Sequence, residues 1–308
     1  MPGFSHYMNA AFIHFGIRNR KECKMKNLLV LLLLFCLACI TTSPVFAEDE
    51  ADQELIEATM DPDDEDSDGE LARAAQNPLA AMISLPFQNN TNFNFGPMEK
   101  TQNVMNIQPV VPFRLNDNWN VITRTIMPIV SQPAFIPGQD RTNALGDTVF
   151  TAFLSPSKAS SFIWGVGAAV LVPTGTDDRT GFRKWGIGPS LVGVGFKGPW
   201  VYGGIISNVW DFAGSSNTGD INLMNFQYFV NYNFSSGWYL VTSPILTANW
   251  EANSGNKWTI PFGGGAGKIV RFGKVPVNLS AQAYWNVKKP DFGADWQLRL
   301  VATMMFPK

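Results

Sequence analysis

The chain has little histidine or cysteine, and what it has lies near the N-terminus. Among 308 residues there are two histidines and three cysteines, all before residue 40: His6, His14, Cys23, Cys36 and Cys39. Residues 25–47 read MKNLLVLLLLFCLACITTSPVFA, with an early lysine, an apolar run and small residues before Ala47. The run is shorter than the roughly 20 residues of a membrane-spanning helix, and the order of features is that of a signal peptide. We therefore predict a signal peptide over 25–47, preceded by a start-site extension over 1–24.

Loss of this segment would leave a mature chain without imidazole or thiol groups. That would exclude Ser-His and Cys-His nucleophiles as well as metal sites built on histidine or cysteine. We predict that the protein is not an enzyme, has no catalytic residues and needs no cofactor. An outer-membrane hydrolase remains an alternative only with a Ser-Lys or carboxylate mechanism, and no such constellation stands out.

Negative charge is concentrated in one segment. Glu48–Glu70 carries thirteen carboxylates and no basic residue, which predicts a flexible acidic arm over 48–76. Asp64, Asp66 and Asp68 match the start of a calcium loop, but Ala75 stands where such a loop needs its bidentate glutamate. A solvated tail is therefore favoured over a weak calcium site. Residues 77–308 carry seventeen basic and eleven acidic residues, so the arm could be drawn to this positive body.

The body lacks an apolar period of 3.6 residues and alternates instead. In the last segment Trp296, Leu298 and Leu300 share one face, and Gln297 and Arg299 share the other. Such runs predict a transmembrane β-barrel of about twelve antiparallel strands, because they are longer than ordinary strands and are joined alternately by short turns and longer loops. The alternative is a soluble β-sandwich. The predicted spans are 80–95, 102–114, 118–131, 145–155, 161–173, 184–197, 199–213, 221–234, 237–250, 256–271, 274–288 and 294–306.

Tryptophans recur near both ends of these spans. Amphipathic rings at both ends of barrel strands are typical of the two aromatic girdles at membrane interfaces. The predicted girdle consists of Trp119, Trp200, Trp210, Trp238, Trp250, Trp258 and Trp296.

Polar residues on the alternate face predict the lining of the barrel interior. Arg124 and Arg299 lie well within their strands, where a cation facing lipid costs about 2–4 kcal/mol, so both should point inward. They could attract anions, or pair with a carboxylate such as Glu251 or with the acidic arm. The predicted lining residues are Asn106, Gln108, Arg114, Arg124, Asn225, Gln227, Asn231, Asn278, Gln282, Asn286, Lys288 and Arg299.

Five stretches also resemble a known family: NPLAAMISLPFQNNTNFNFGP at 77–97, NIQPVVPFRLNDNWNVITRTIMPIVSQP at 106–133, NVWDFAG at 208–214, SPILTANWEA at 243–252 and DWQLRL at 295–300. They resemble Gram-negative outer-membrane proteins labelled transporter or neuromedin U, which are similar to the channel superfamily associated with phenol meta-cleavage pathways. The resemblance covers nearly all of 77–308. It implies a barrel in the cell outer membrane that passes small organic solutes, and it transfers no site residues.

The function expected is thus a porin-like transport channel whose partners are membrane lipid and a small solute. A structural or adhesion barrel is the main alternative. Twelve strands lie between the eight that fill their own interior and the 16–18 of open porins, so a plug is plausible, and residues 71–96 could form one.

A glycine run, PFGGGAGKIV at 261–270, superficially resembles a phosphate loop. It lacks the first glycine, the serine or threonine after Lys268 and the following helix. We therefore predict no nucleotide or nucleic-acid partner. The run should instead allow a bend or a close approach inside the barrel.

Overall fold

The computed structural model describes residues 73, 75–80, 82–158, 161–273 and 275–306. The predicted signal peptide, most of the acidic arm and the calcium candidates Asp64, Asp66 and Asp68 lie outside these residues. Within them, no helix has the length and apolar character needed to cross a membrane.

The described residues form fifteen strands and one short 3-10 turn. The strands are β1 Ile83–Phe95, β2 Lys100–Ile107, β3 Val110–Asn116, β4 Trp119–Gln132, β5 Thr142–Leu145, β6 Thr148–Pro156, β7 Phe162–Val172, β8 Lys184–Lys197, β9 Trp200–Gly214, β10 Asn222–Asn233, β11 Trp238–Thr242, β12 Ile245–Asn249, β13 Trp258–Phe272, β14 Val275–Lys288 and β15 Trp296–Phe306. The 3-10 turn is Ser254–Asn256.

These strands make a closed antiparallel barrel of twelve wall strands. Three wall strands consist of two pieces each: β2 with β3, β5 with β6, and β11 with β12. The ladder between β1 and β15, which begins at Ile83 opposite Phe306, closes the barrel. Closure leaves no sheet edge exposed to lipid, where an unpaired backbone group would be costly.

Side-chain alternation along the strands gives the barrel an apolar outside. On β15, Trp296, Leu300 and Met304 are exposed, whereas Arg299 and Met305 are buried. On β8, Ile187 and Leu191 are about half exposed while Val192 and Val194 are buried. A closed barrel with exposed aliphatic and aromatic side chains around it is the architecture of outer-membrane proteins. The predicted fold class and outer-membrane location are therefore confirmed.

The connections alternate between two ends of the barrel. At the short-turn end, β3 and β4 are joined by a tight turn in which Asn116 Oδ1 accepts hydrogen bonds from the backbone of Asn118 and Trp119. Residues 133–141, 173–183 and 250–257 form connections at the opposite, long-loop end. The twelve predicted spans match most of the wall strands closely, but the interruptions were not predicted, and β5 lies largely between the predicted spans 118–131 and 145–155.

Two of the interruptions occur at prolines. Pro109 separates β2 from β3, and Pro244 separates β11 from β12. Proline cannot donate to a ladder, so a neighbouring strand loses one of its backbone bonds. Beside Pro244, the pairing with β13 stops at Val241 and resumes at Thr247.

The glycine run lies in β13, as predicted, and its inward-facing members make close backbone contacts. A Cβ on Gly265 would lie 1.9 Å from the carbonyl oxygen of Ala281, and one on Gly267 would lie 2.2 Å from the ring of Tyr239. Only glycine fits at these positions without displacing the neighbours. The prediction of a close approach is thus correct, and the approaching group is Tyr239.

Residues 75–80 lie inside the barrel. Leu79 packs with Ile122, Phe153 and Val192 of the inner wall. Gln76 exchanges two hydrogen bonds with Asn233, of 2.7 and 3.1 Å. The predicted plug over 71–96 is therefore too long, because residues 83–95 belong to wall strand β1.

Candidate functional site

A cavity of about 200 Å³ lies within the barrel. Seven of the predicted lining residues meet there: Gln108, Arg124, Gln227, Asn231, Asn278, Gln282 and Arg299. They come from strands that are far apart in sequence, and they meet because each lies on the inward face of its strand. Residues from the short segment 75–80, together with Met82, form another part of the lining.

Arg299 is held rigidly on one side of the cavity. Its Nε donates to Asn90 Oδ1 at 3.0 Å, its Nη1 to the carbonyl oxygen of Ser243 at 2.7 Å, and its Nη2 to Gln297 Oε1 at 3.0 Å. The guanidinium carbon lies 5.0 Å from the centre of the Tyr284 ring, a distance at which a cation and an aromatic face attract each other. Only 2% of Arg299 is exposed.

Ser243 and Tyr284 belong to a network that supports this arginine. The backbone N–H of Ser243 donates to Tyr284 Oη at 2.9 Å, and its hydroxyl donates to Gln282 Oε1 at 2.8 Å. Tyr284 also donates to Gln282 Oε1. Because Ser243 precedes Pro244, its carbonyl lies at an interruption of the wall strand and is available to Arg299.

Arg124 lines the same cavity from β4 and has fewer hydrogen bonds than Arg299 among the described residues. Its Nη2 donates to Gln108 Oε1 at 2.6 Å, and the side chain is half-buried. Gln108 is buried at the other proline interruption, where its backbone N–H donates to Pro86 O at 2.9 Å. Each arginine thus bonds to a residue that immediately precedes a proline break.

Both arginines bond to neutral acceptors among the described residues. Of the described residues that line the cavity, none is an aspartate or a glutamate. Glu251, suggested as a partner from the sequence, is exposed in the connection after β12 and forms no ion pair with either arginine among the described residues. That suggestion was wrong because Glu251 lies beyond the end of its strand.

Two lysines near the long-loop end of the barrel are paired with carboxylates. Lys184 Nζ lies 2.6 Å from Asp211 and 3.0 Å from Asp220 at the long-loop end. Lys289 Nζ lies 2.6 Å from Asp295, and hydrogen bonds from Lys289 and Asn94 hold the pKa of the Asp295 carboxyl below its ordinary value. The two interior arginines therefore differ from these peripheral cations in the charge of their partners.

Part of the interior is apolar, although Gln227 and Asn231 flank Phe229 on the inner face of β10. Val194, Val201 and Phe229 form one buried cluster, and Ile205 packs against the cluster that contains Leu79. Ile205 and Phe229 also line the cavity. The predicted lining contained only polar residues and missed this apolar part, because strands β8 and β9 carry apolar residues on both faces and show little contrast.

The other predicted lining residues lie outside the cavity lining. Arg114 is at the short-turn end, where its Nη2 contacts Asp117 at 3.0 Å, and Lys288 is exposed at the long-loop end of β14. Asn106, Asn225 and Asn286 are also absent from this lining. Sequence reasoning missed Tyr239, Asn90 and Ser243, although the inward parity of Tyr239 on β11 could have identified it.

The predicted girdle tryptophans occupy the two ends of the barrel. Trp119, Trp200 and Trp238 begin strands at the short-turn end, and Trp210, Trp250, Trp258 and Trp296 lie at the long-loop end. Several contact other aromatic rings: Trp200 lies edge-on to Tyr232, Trp250 to Trp258, and Trp296 stacks on Phe93 at 3.9 Å. Their contact with the membrane interface stays a prediction.

Among solved structures, the chain is similar to the COG4313 outer membrane channel from Pseudomonas putida F1. The two share 19% identity, the match covers 73% of this chain and 94% of the other, and the TM-score is 0.56. Outer membrane phospholipase A from Escherichia coli matches at 12% identity over 73% of this chain and 92% of its own, with a TM-score of 0.36. No protein-family model and no curated protein matches the chain. The first likeness supports the barrel fold.

Proposed function

We propose that this protein is an outer-membrane channel for small organic solutes. The observation that carries the proposal is the cavity inside the closed barrel, which is lined by amide and guanidinium groups together with apolar residues such as Ile205 and Phe229. Such a surface can accept the polar and the apolar part of one molecule. Its volume of about 200 Å³ is below the roughly 300–1,000 Å³ of pockets for drug-sized ligands, which favours small solutes.

Two further points support the proposal. The structurally similar protein from Pseudomonas putida F1 is described as a channel. The sequence resemblance to the channel superfamily of phenol meta-cleavage pathways suggests aromatic or otherwise hydrophobic solutes. On this proposal, the polar residues that line the cavity face the solute, and the tryptophans at both ends anchor the barrel in lipid.

The test is solute entry into liposomes that contain the full mature chain. A tryptophan in place of Ile205 would fill part of the cavity, so Ile205→Trp should lower entry several-fold. Ile206→Trp is the matched control, because Ile206 is the next residue on β9 and is 38% exposed on the outside of the barrel. Its entry rate should equal that of the unchanged protein.

Other results would identify the alternatives. A folded barrel that neither conducts in planar bilayers nor admits any small solute would contradict the channel and favour a structural or adhesion role. Release of fatty acid from the liposome phospholipid by the purified protein would favour the hydrolase. Equal entry through the Ile205→Trp and Ile206→Trp proteins would show that solutes do not use this cavity.

A further inference from the structure

Arg124 and Arg299 are two cations that share one cavity, and their charges repel each other. A charge inside a barrel is costly unless an opposite charge or good hydrogen bonds compensate it. Among the described residues the compensation is entirely neutral: Gln108 for Arg124, and Asn90, Ser243 and Gln297 for Arg299. A bound anion would relieve both the burial and the repulsion.

Arg124 has donors left for such an anion. A guanidinium carries five N–H groups, and Arg124 uses Nη2 for Gln108 in the described part of the chain. No buried side-chain nitrogen or oxygen of the described residues lacks a hydrogen-bond partner. Since Arg124 is half-buried and lines the cavity, its other nitrogens are accessible from that space.

The neighbouring groups select the kind of anion. Planar guanidinium groups bind carboxylates with two parallel hydrogen bonds, which are stronger than bonds between neutral groups. Ile205, Phe229 and Val241 provide an apolar surface in the same cavity. A small molecule with a carboxylate at one end and an aromatic or aliphatic body at the other fits both features.

We propose that Arg124, with the charge of Arg299 in the same cavity, forms a binding site for the carboxylate of a small amphipathic organic acid. In naming the class of solute, this inference rests on the channel function proposed above. The carboxylates of Glu48–Glu70, which precede residues 75–80 in the chain, could also bind at this site. The experiment must therefore distinguish a free acid from the protein's own arm.

Binding is measured by calorimetry on the full mature chain in detergent, with benzoate as the acid and benzyl alcohol as its uncharged counterpart. Benzoate should bind more tightly than benzyl alcohol. Arg124→Gln should weaken benzoate binding at least about tenfold, the factor that corresponds to loss of about 1.4 kcal/mol. Arg124→Lys, which keeps the charge but not the planar fork, should bind with intermediate affinity.

Arg124 is the better first substitution, because Arg299 holds three structural hydrogen bonds and its loss could impair folding. Lys197→Gln is the control, since Lys197 is exposed at the short-turn end of β8 and should leave benzoate binding unchanged. Heat-modifiable mobility on gels verifies that each variant is folded.

A second protein with asparagine and glutamine in place of the carboxylates of residues 61–68 separates the two sources. If it binds benzoate more tightly than the unchanged chain, and Arg124→Gln abolishes the gain, the arm is a competing carboxylate at the same site. If benzoate binds equally with and without the substitutions in the arm, the free acid is the ligand.

The proposal is overturned if folded wild-type and arm-substituted proteins both fail to bind benzoate, or if binding is indifferent to Arg124→Gln. Transport of benzyl alcohol and benzoate into liposomes tests the channel function separately from the carboxylate site. Passage of both solutes without an effect of Arg124→Gln would refute the carboxylate site and leave the channel intact. Tight binding of benzoate that depends on Arg124, without passage of either solute, would support the carboxylate site and refute the channel.

Discussion

Tyr239 on β11 crosses the inner face of β13 at Gly267, and its hydroxyl donates a hydrogen bond of 2.5 Å to Asn278 Oδ1 on β14. Tyr239 is 2% exposed and Asn278 is 9% exposed. The side chain therefore joins two wall strands that are not neighbours. It can do so because Gly267, which lies between them, has no side chain.

Substitution of Gly267 should disturb this contact. A Cβ there would lie 2.2 Å from Tyr239 Cζ, so Gly267→Ala must displace the ring and should lower the free energy of unfolding by about 1–3 kcal/mol. Urea unfolding of the refolded protein, followed by tryptophan fluorescence, measures the change. Gly219→Ala is the matched control, because a Cβ at Gly219 meets nothing within 4 Å.

The cause can be checked in a Tyr239→Ala background, where Gly267→Ala should cost clearly less than in the unchanged protein. An equal cost in both backgrounds would mean that the contact with the backbone oxygen of Leu279, and not the tyrosine, excludes a side chain at this position.

The segment inside the barrel, residues 75–80, should restrict the pore, and Leu79 should hold it in place. Leu79 is 6% exposed and packs with Ile122, Phe153 and Val192, so Leu79→Ala should loosen residues 75–80 and raise single-channel conductance. Replacement of a buried leucine by alanine lowers the free energy of unfolding by about 2–5 kcal/mol. Planar-bilayer recording measures the conductance.

Leu115→Ala supplies the comparison for Leu79→Ala, because Leu115 is 61% exposed at the end of β3. Its conductance should match that of the unchanged protein. Identical conductance of the Leu79→Ala and Leu115→Ala proteins would show that the segment does not limit the pore.

Trp200 and Trp210 should report two different membrane interfaces. They lie ten residues apart on β9, about 33 Å along an extended strand, and a tilted strand crosses an apolar band of about 25 Å. In protein labelled with 5-fluorotryptophan, the two fluorine signals are assigned by Trp200→Phe and Trp210→Phe. Spin labels at the lipid headgroup should broaden both signals more than labels deep in the acyl chains. Stronger broadening of either signal by the deep label would contradict its place in a girdle.

The pH response of Asp295 should depend on Lys289. Hydrogen bonds from Lys289 and Asn94 place the pKa of this carboxyl below the ordinary value of an aspartate. The pair therefore adds stability that is present above the unfolded pKa and is lost as pH falls through the folded pKa. The contribution is small, since both side chains are about one-third exposed.

Carbon-detected NMR titration of the Asp295 carboxyl tests this pair. Lys289→Met should raise the pKa of Asp295 toward its ordinary value, whereas Lys288→Met, at the adjacent exposed lysine, should leave it unchanged. Equal shifts in the two variants would indicate a general effect of positive charge and not the specific contact.

The sequence by itself determined the wall of this protein. Period-two alternation specifies which side chains face lipid, and a strand such as Trp296–Phe306 carries that information without any knowledge of its neighbours. The spacing of turns gave twelve strands, and the cost of a cation in lipid gave the inward direction of Arg124 and Arg299. These are local consequences of the solvent around each strand.

Only the tertiary structure decided how the residues inside the barrel are arranged and which of them bond to each other. Whether Arg299 bonds to Asn90 or to Glu251 depends on which strands adjoin and in which register, and parity does not contain that information. The interruptions before Pro109 and Pro244, the passage of Tyr239 over Gly267 and the entry of Leu79 into the barrel all depend on long-range packing. Alternation separates inside from outside, but only contact between distant strands gives the inside its shape and charge.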